Sequence, residues 1–208
     1  MACGRSGVRA PLGPLIMKNK VVCITGLCGA GKSVLSDYFL EHGYKYLRFG
    51  QITIDEVVKR GLPVNEANER FVREDLRKQY GMAAFATLNL PKVEEMLVTS
   101  NVIADGLYSF EEYKVLKEKF GENLAVIAVF ASPSLRYERL GNRKVVAGDT
   151  NVRNRPLTVE EGRSRDLAEI ENLNKGGTIA MADYTILNTK GLDFLQAQVK
   201  EVFDIISG

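Results

Sequence analysis

Short apolar runs alternate with longer amphipathic segments along the 208-residue chain. Five runs have the length and content of strands: Val21 to Thr25, Tyr44 to Phe49, Val102 to Asp105, Leu124 to Ala131 and Tyr184 to Leu187. The fourth, LAVIAVFA, is apolar throughout, as a strand covered on both faces must be. Strands separated by helix-length segments predict an open parallel sheet with helices on both sides. In the intervals, apolar residues recur at helical spacing. Ser33 to Leu40 carries Val34, Leu35, Tyr38 and Phe39 and stops before Gly43, while Ile52 to Arg60 stops before Gly61. Both glycines suit the residue that closes a helix. Asn65 to Tyr80 is so densely charged that its apolar stripe is narrow, which places it on the surface. Ser109 to Phe120, Pro133 to Leu140, Thr158 to Leu173 and Leu192 to Ile206 complete the predicted helices. Thr158 and Glu161 stand in the Thr-x-x-Glu spacing of a capping box, in which each side chain serves the other's backbone N–H.

Two stretches interrupt the alternation. Residues 51–100 intervene between the second and third strands, and residues 141–157, GNRKVVAGDTNVRNRPL, are polar with no clear period. Both are read as mobile coverings on the sheet, the first over an acceptor and the second as a lid. Long segments of this kind usually serve function.

Composition narrows the class. With 45% hydrophobic and 26% charged residues, the chain suits one soluble domain with a sizeable core, taken as residues 17–208. No apolar run approaches the roughly 20 residues a membrane helix needs, so no membrane partner is expected. Cys3, Cys23 and Cys28 are odd in number and form no Cys-x-x-Cys pair, which argues against a disulfide framework or zinc site and for a reducing, cytoplasmic setting. The net charge of +2 hides a basic first 20 residues and a slightly acidic remainder, so the body is not a generic nucleic-acid binder. Residues 1–16, rich in Gly and Pro breakers and followed by Met17, read as a disordered tail or an overlong start. A targeting peptide is the alternative, disfavoured because the apolar part is short and interrupted by Pro11 and Pro14.

The chemistry concentrates at GLCGAGKS, Gly26 to Ser33. It satisfies Gly-x-x-x-x-Gly-Lys-Ser with an apolar strand before it and a helix after it. Glycines let successive backbone N–H groups point inward, and the helix N-terminus adds partial positive charge, which together cradle a polyphosphate. Gly26, Cys28, Gly29, Ala30, Gly31, Lys32, Ser33 and Val34 are therefore the candidate nucleotide contacts. Lys32 is placed to reach the β- and γ-phosphates, and Ser33 offers a hydroxyl to Mg2+. A glycine-rich turn that binds nothing would not also bring the flanking strand and helix. The predicted architecture is accordingly a three-layer α/β P-loop NTPase fold with a five-stranded parallel sheet.

Asp105 ends a predicted strand at its carboxyl edge, where open α/β sheets bind ligands. It is a candidate catalytic residue and, with Ser33, a candidate Mg2+ ligand, the alternative being an ordinary turn with Gly106. Half of the fourteen arginines lie between residues 136 and 165: Arg136, Arg139, Arg143, Arg153, Arg155, Arg163 and Arg165. The first three recur at helical spacing on one side. Guanidinium groups pair with phosphate oxygens and offset charge as a phosphoryl group moves, so Arg139, Arg143 and Arg165 are candidate catalytic residues of a closing lid. A solvated helix face is the alternative for any one of them. His42, the lone histidine, is expected to serve the last carbonyls of a helix.

ITGLCGAGKS resembles the opening of small-molecule P-loop kinases, specifically the nucleoside monophosphate kinase and dephospho-coenzyme A kinase group. RPLTVEEGRSRDLAEIE and MADYTILNTKGLDFLQAQVKEVF are similar to the end of dephospho-coenzyme A kinases, where an Ala-Asp-Tyr strand, an Asn and a final helix close the domain. LRFGQITIDEVVKRGL and VIADGLYSFEEYKVLKEKFG look closer to nucleoside monophosphate kinases and to an uncharacterised kinase-like family common in archaea. The resemblance spans about residues 17–207 and implies ATP with Mg2+ as cofactors and transfer to a nucleotide-like small-molecule acceptor, in a monomer or small homo-oligomer. It also implies that LNKGGTIAMADY, with Gly176 and Gly177, lies beside the adenine.

Two departures matter. Where dephospho-coenzyme A kinases carry Asp-Ala-Asp after the second strand, this chain has RFGQ, so a base for an alcohol is either missing or supplied by Asp55 or Asp105. Where nucleoside monophosphate kinases place an acceptor-gripping arginine after the third strand, DGLYSF has none, so Tyr108 with Arg73 or Arg77 stands in. Arg48, Asp55, Arg73 and Tyr108 are the candidate acceptor contacts. The alternative class is a nucleotide-dependent ATPase or switch acting through a protein partner. Its GTPase form is disfavoured because no Asn-Lys-x-Asp occurs.

Overall fold

A computed structural model describes residues 18–143 and 156–208, in which five strands form one parallel sheet in the order β2-β3-β1-β4-β5. The strands are β1 (Val21–Thr25), β2 (Lys45–Arg48), β3 (Val102–Asp105), β4 (Leu124–Phe130) and β5 (Tyr184–Leu187). The helices are α1 (Lys32–Glu41), α2 (Gln51–Lys59), α3 (Glu66–Tyr80), α4 (Ala84–Leu97), α5 (Phe110–Phe120), α6 (Pro133–Gly141), α7 (Val159–Leu173), α8 (Lys175–Ala180) and α9 (Leu192–Ser207). The expected tail, residues 1–16, and most of the expected lid lie outside the described residues.

β1 is buried along its whole length between β3 and β4, with Val21 opposite both Val102 and Leu124. Because alternate strand side chains point to opposite faces, β1 feeds two cores. Val21 and Cys23 pack with α2 to α5, through Val57, Val72, Phe85 and Leu116. Val22 and Ile24 pack with α1 and α9, through Leu35, Phe39, Leu195 and Val199.

Most helix ends follow local chemistry. The Thr158–Glu161 capping box is present, and Ser109 with Glu112 forms a second one at the start of α5. Gly43 and Gly61 have φ of 87° and 69° after α1 and α2. His42 Nδ1 lies 2.8 Å from the Tyr38 carbonyl oxygen at the end of α1. The expected strands Tyr44 to Phe49 and Leu124 to Ala131 are each slightly shorter than the apolar runs suggested, since hydrogen-bond pairing ends before the apolar residues do.

Residues 51–100, expected as a covering on the sheet, are helical and part of its packing. They form α2, α3 and α4, and they place Val57, Val72, Phe85 and Val93 in the core. α4 itself is absent from the sequence-based set because Pro91 and the polar Thr87 and Asn89 break its apolar period. Pro91 has no N–H to serve the Thr87 carbonyl, and Thr87 is exposed. Asn89 is buried but satisfied, donating to the carbonyls of Phe85 (2.8 Å) and Phe49 (3.2 Å). α8 was likewise hidden, by its two glycines. Among the described residues no helix is long and apolar enough to cross a membrane.

Candidate functional site

The loop from Gly26 to Gly31 leaves the carboxyl end of β1 and enters α1. Gly26, Gly29 and Gly31 all have positive φ, at 135°, 80° and 103°. Space demands glycine as firmly as conformation does. A Cβ on Gly26 would lie 2.5 Å from the Val129 carbonyl oxygen of β4, and one on Gly31 would collide with the side-chain amide of Asn188. That amide donates to the Ala30 carbonyl at 2.8 Å. Arg136, only 2% exposed, donates to the carbonyls of Cys28 (3.1 Å) and Ala131 (3.1 Å) and pairs with Asp166 at 2.6 Å. Arg136 is thus a buried strut for the loop rather than a member of a lid over phosphates. The Lys32 ammonium is held at the loop's mouth, donating to the carbonyls of Gly26 (2.9 Å) and Leu27 (3.2 Å).

A cleft of about 1300 Å³ opens from this loop across the ends of β1 and β3, walled by α2, α3 and α7. Of the sequence candidates, Cys28, Gly29, Gly31, Lys32, Ser33, Arg48, Arg73, Asp105, Tyr108, Arg143 and Arg165 line it. Gly26 and Ala30 lie buried beneath it. Val34 instead lines a groove between α1 and α9. Asp55 is exposed and accepts from Gln51 at 3.0 Å, outside the cleft. Arg139 does not line the cleft either; it donates to the Asn188 carbonyl at 3.1 Å, drawn there because β5 ends beside α6. Gly176 and Gly177 do not line the cleft either. They belong to α8, and Gly177 packs against the Phe110 ring, where a Cβ would come within 3.1 Å.

Asp105 stands at the cleft floor. Its Oδ2 accepts from the Tyr46 hydroxyl at 3.2 Å, while Oδ1 is buried with no hydrogen-bond partner among the described residues. A carboxylate oxygen left in that state, in the same cleft as the Ser33 hydroxyl, suits a hard cation that prefers oxygen and completes its shell with water and phosphate. The described residues gather no set of three or more His, Cys, Asp or Glu around one point, so the donor set is of this sparse kind.

Sequence reasoning missed the charge cluster behind the cleft wall. Glu169, buried, accepts from Arg165 Nε at 3.2 Å and from Lys175 Nζ at 2.6 Å. Burial alone would push its carboxyl up, but Lys175 and then Arg165 outweigh that and hold it down at about 2. The Lys175 ammonium also sits 4.4 Å from the centre of the Tyr108 ring. Glu169 therefore fixes Arg165, and Lys175 backs Tyr108, at the two sides of one wall. The i, i+4 spacing of Arg165 and Glu169 was the only signal available in the sequence. Nearby, burial pushes the Glu112 carboxyl up to about 7, although the N–H groups of Tyr108 and Ser109 and the field of Arg77 pull it the other way.

Comparison with known proteins bears on the family and the fold. The sequence model of the AAA domain matches residues 22–157. A UPF0200 protein of Thermococcus kodakarensis is 34% identical over 188 residues, covering 89% of this chain and 97% of its own. One from Pyrococcus furiosus is 32% identical over 190 residues, with 89% and 97% covered. Among solved structures, shikimate kinase from Bacteroides thetaiotaomicron superposes with a TM-score of 0.55 at 13% identity, covering 91% of this chain and 99% of that one. TT1252 from Thermus thermophilus gives 0.57 at 19% identity with the same coverage. The five-stranded parallel sheet with helices around it is the P-loop NTPase architecture those likenesses share.

Proposed function

The chain belongs to the AAA domain family and to the UPF0200 proteins, and from that premise we propose that it is an ATP-dependent kinase transferring the γ-phosphoryl group to a nucleotide-like small molecule. The observation that carries the reading is one cleft with two differently built ends. At one end stand the positive-φ glycines, Lys32 and Ser33; at the other stand α2 and α3, with Asp105 between. Its volume exceeds the roughly 300–1,000 Å³ of a typical single-ligand pocket, which supports a donor and an acceptor side by side. That a shikimate kinase shares the architecture supports phosphorylation of a small molecule in general.

In this reading the loop's N–H groups and Lys32 bind the phosphates, and Ser33 and Asp105 hold Mg2+. When bound there, Mg2+ would neutralise charge on the phosphates. Arg165, oriented by Glu169, and Arg143 face the same space and offset charge on the transferring group. Tyr46 orients Asp105. With Asp55 outside the cleft, Asp105 is the remaining carboxylate on this list able to take a proton from an alcohol. A phosphate acceptor needs no strong base, because such transfer depends chiefly on positioning and electrostatics.

The test is an ATP and Mg2+ assay against a panel of nucleoside monophosphates and dephospho-coenzyme A, read as ADP formed and acceptor phosphorylated. Acceptor-dependent turnover with a phosphorylated product is the expected result. ATP hydrolysis indifferent to every acceptor would replace this reading with that of a nucleotide-driven switch.

A further inference from the structure

We propose that Arg77 anchors an anionic group of the acceptor, a phosphate or a carboxylate, in the α2–α3 half of the cleft; this rests on the kinase reading above and narrows its substrate class.

The argument begins with a contrast along one helix. α3 carries three arginines, and two are neutralised within the helix. Arg70 pairs with Glu74 at 2.8 Å, and Arg73 pairs with Glu66 at 2.7 Å and Glu69 at 3.4 Å. Arg77 lines the cleft and forms no ion pair among the described residues, and its Nε is buried without a hydrogen-bond partner. It is not loose. The guanidinium lies 4.9 Å from the centre of the Phe85 ring, and Phe85 is itself buried in the core. Glu112 and Glu169 act on Arg77 only through their field, and burial dominates, pulling its pKa below the usual arginine value.

A desolvated cation without a partner costs the fold stability, and glutamates elsewhere on α3 remove that cost for its neighbours. Leaving Arg77 unpaired while holding it against a ring is sensible if the partner arrives with the ligand. A planar guanidinium then offers parallel N–H groups to an oxyanion. Thr53 of α2 lines the same cleft with a hydroxyl oxygen that is likewise buried and unpartnered, a second donor on this side. The chemistry described for the loop end, Lys32 and Ser33, does not use either group.

The experiment saturates the protein with Mg2+ and the non-hydrolysable analogue AMPPNP, so that the glycine loop is occupied, and then titrates inorganic phosphate, acetate and neutral ribose by calorimetry. Saturable binding of phosphate or acetate is expected, with the preferred anion naming the source. Arg77→Met should weaken it at least tenfold, Arg77→Lys should retain part of it, and Lys78→Met, an equal charge change at an exposed neighbour, should leave it unchanged. Arg77→Met should melt close to the wild-type temperature, since the guanidinium it removes is only part-buried and holds no ion pair among the described residues. The proposal is overturned if neither anion binds, if Arg77→Met binds within twofold of wild type, or if Arg77→Met and Arg77→Lys lose binding and stability together, which assigns Arg77 to packing. If AMPPNP itself fails to bind, the kinase reading falls separately, and the same phosphate titration in a Lys32→Met background still decides the role of Arg77.

Discussion

Asn188, just beyond β5, donates its side-chain amide to the carbonyl of Ala30 and thereby ties the last strand to the glycine loop. The bond exists because Gly31 has no Cβ, which would occupy the amide's position. Replacing Asn188 with Ala is expected to cost about 1–3 kcal/mol, the price of leaving a buried carbonyl unpaired. Gly31→Ala should cost at least as much, since it adds a side chain at φ 103° and displaces the amide. Thermal unfolding reads the first effect, and calorimetric titration with Mg·ATP should show both variants binding more weakly. Wild-type affinity in Gly31→Ala would refute the account of the loop.

Lys32 tests the donor end directly. Lys32→Met removes one preorganised donor, an interaction worth about 2.7–4 kcal/mol in the transition state, or roughly 10²–10³ in turnover. Its contacts in the fold are the part-buried carbonyls of Gly26 and Leu27, so the melting temperature should fall only modestly while turnover collapses. Turnover with whichever acceptor the panel assay identifies, measured alongside circular dichroism, separates the two. Normal turnover in Lys32→Met is incompatible with the proposed chemistry.

Asp105→Asn keeps a side chain able to meet Tyr46 but removes the charge on the orphaned oxygen. The Mg2+ concentration for half-maximal activity is expected to rise by about tenfold or more, and Tyr46→Phe should raise it less, as a supporting partner does. Metal titrations at fixed ATP provide the measurement. An unchanged Mg2+ requirement in Asp105→Asn would leave the metal elsewhere.

Stability should depend on pH through two buried carboxylates of opposite shift. Glu169 is held near 2 against an ordinary 4.5, so its contribution is complete above about 4.5 and is lost as the pH falls from there toward 2. Glu112 is raised from 4.5 to about 7, so its neutral form favours the fold and that advantage disappears as the pH rises through 7. Glu169→Gln should flatten the acid limb and lower stability at neutral pH by about 3–5 kcal/mol, because Lys175 is left buried with its charge unpaired. Glu112→Gln should flatten the neutral limb. Urea unfolding of the three proteins across this range checks both, and identical pH profiles would contradict the shifts.

What could be read from the sequence was what is local. β1, β3 and β5 have the bounds of their apolar runs, and the glycine loop announces itself because strand, turn and helix are contiguous. Pairings across long separations were invisible. Nothing near Arg136 marks Asp166 as its partner, so a buried strut looked like one more lid arginine. Asp55 has the charge a base needs and Arg139 the helical spacing of a lid arginine, but Gln51 and the end of β5 claim them. α4 failed to register because Pro91 contradicts a helix locally, and only the core packing of Phe85 and Val93 overrides it.

The sheet order divides the molecule along β1. On one flank, β4, α6 and the residue after β5 press against Gly26, Gly29 and Gly31 so closely that a single added methyl finds no room. On the other, α2 and α3 wall the cleft with residues such as Thr53, Arg73 and Arg77, none of them a glycine held against a neighbouring strand. Mutation is therefore unevenly tolerated: the three glycines of the first flank admit no side chain, while the cleft-lining positions of the second can change so long as core residues such as Val57 and Val72 are kept. A chain built this way can acquire a new target without renegotiating its hold on the nucleotide.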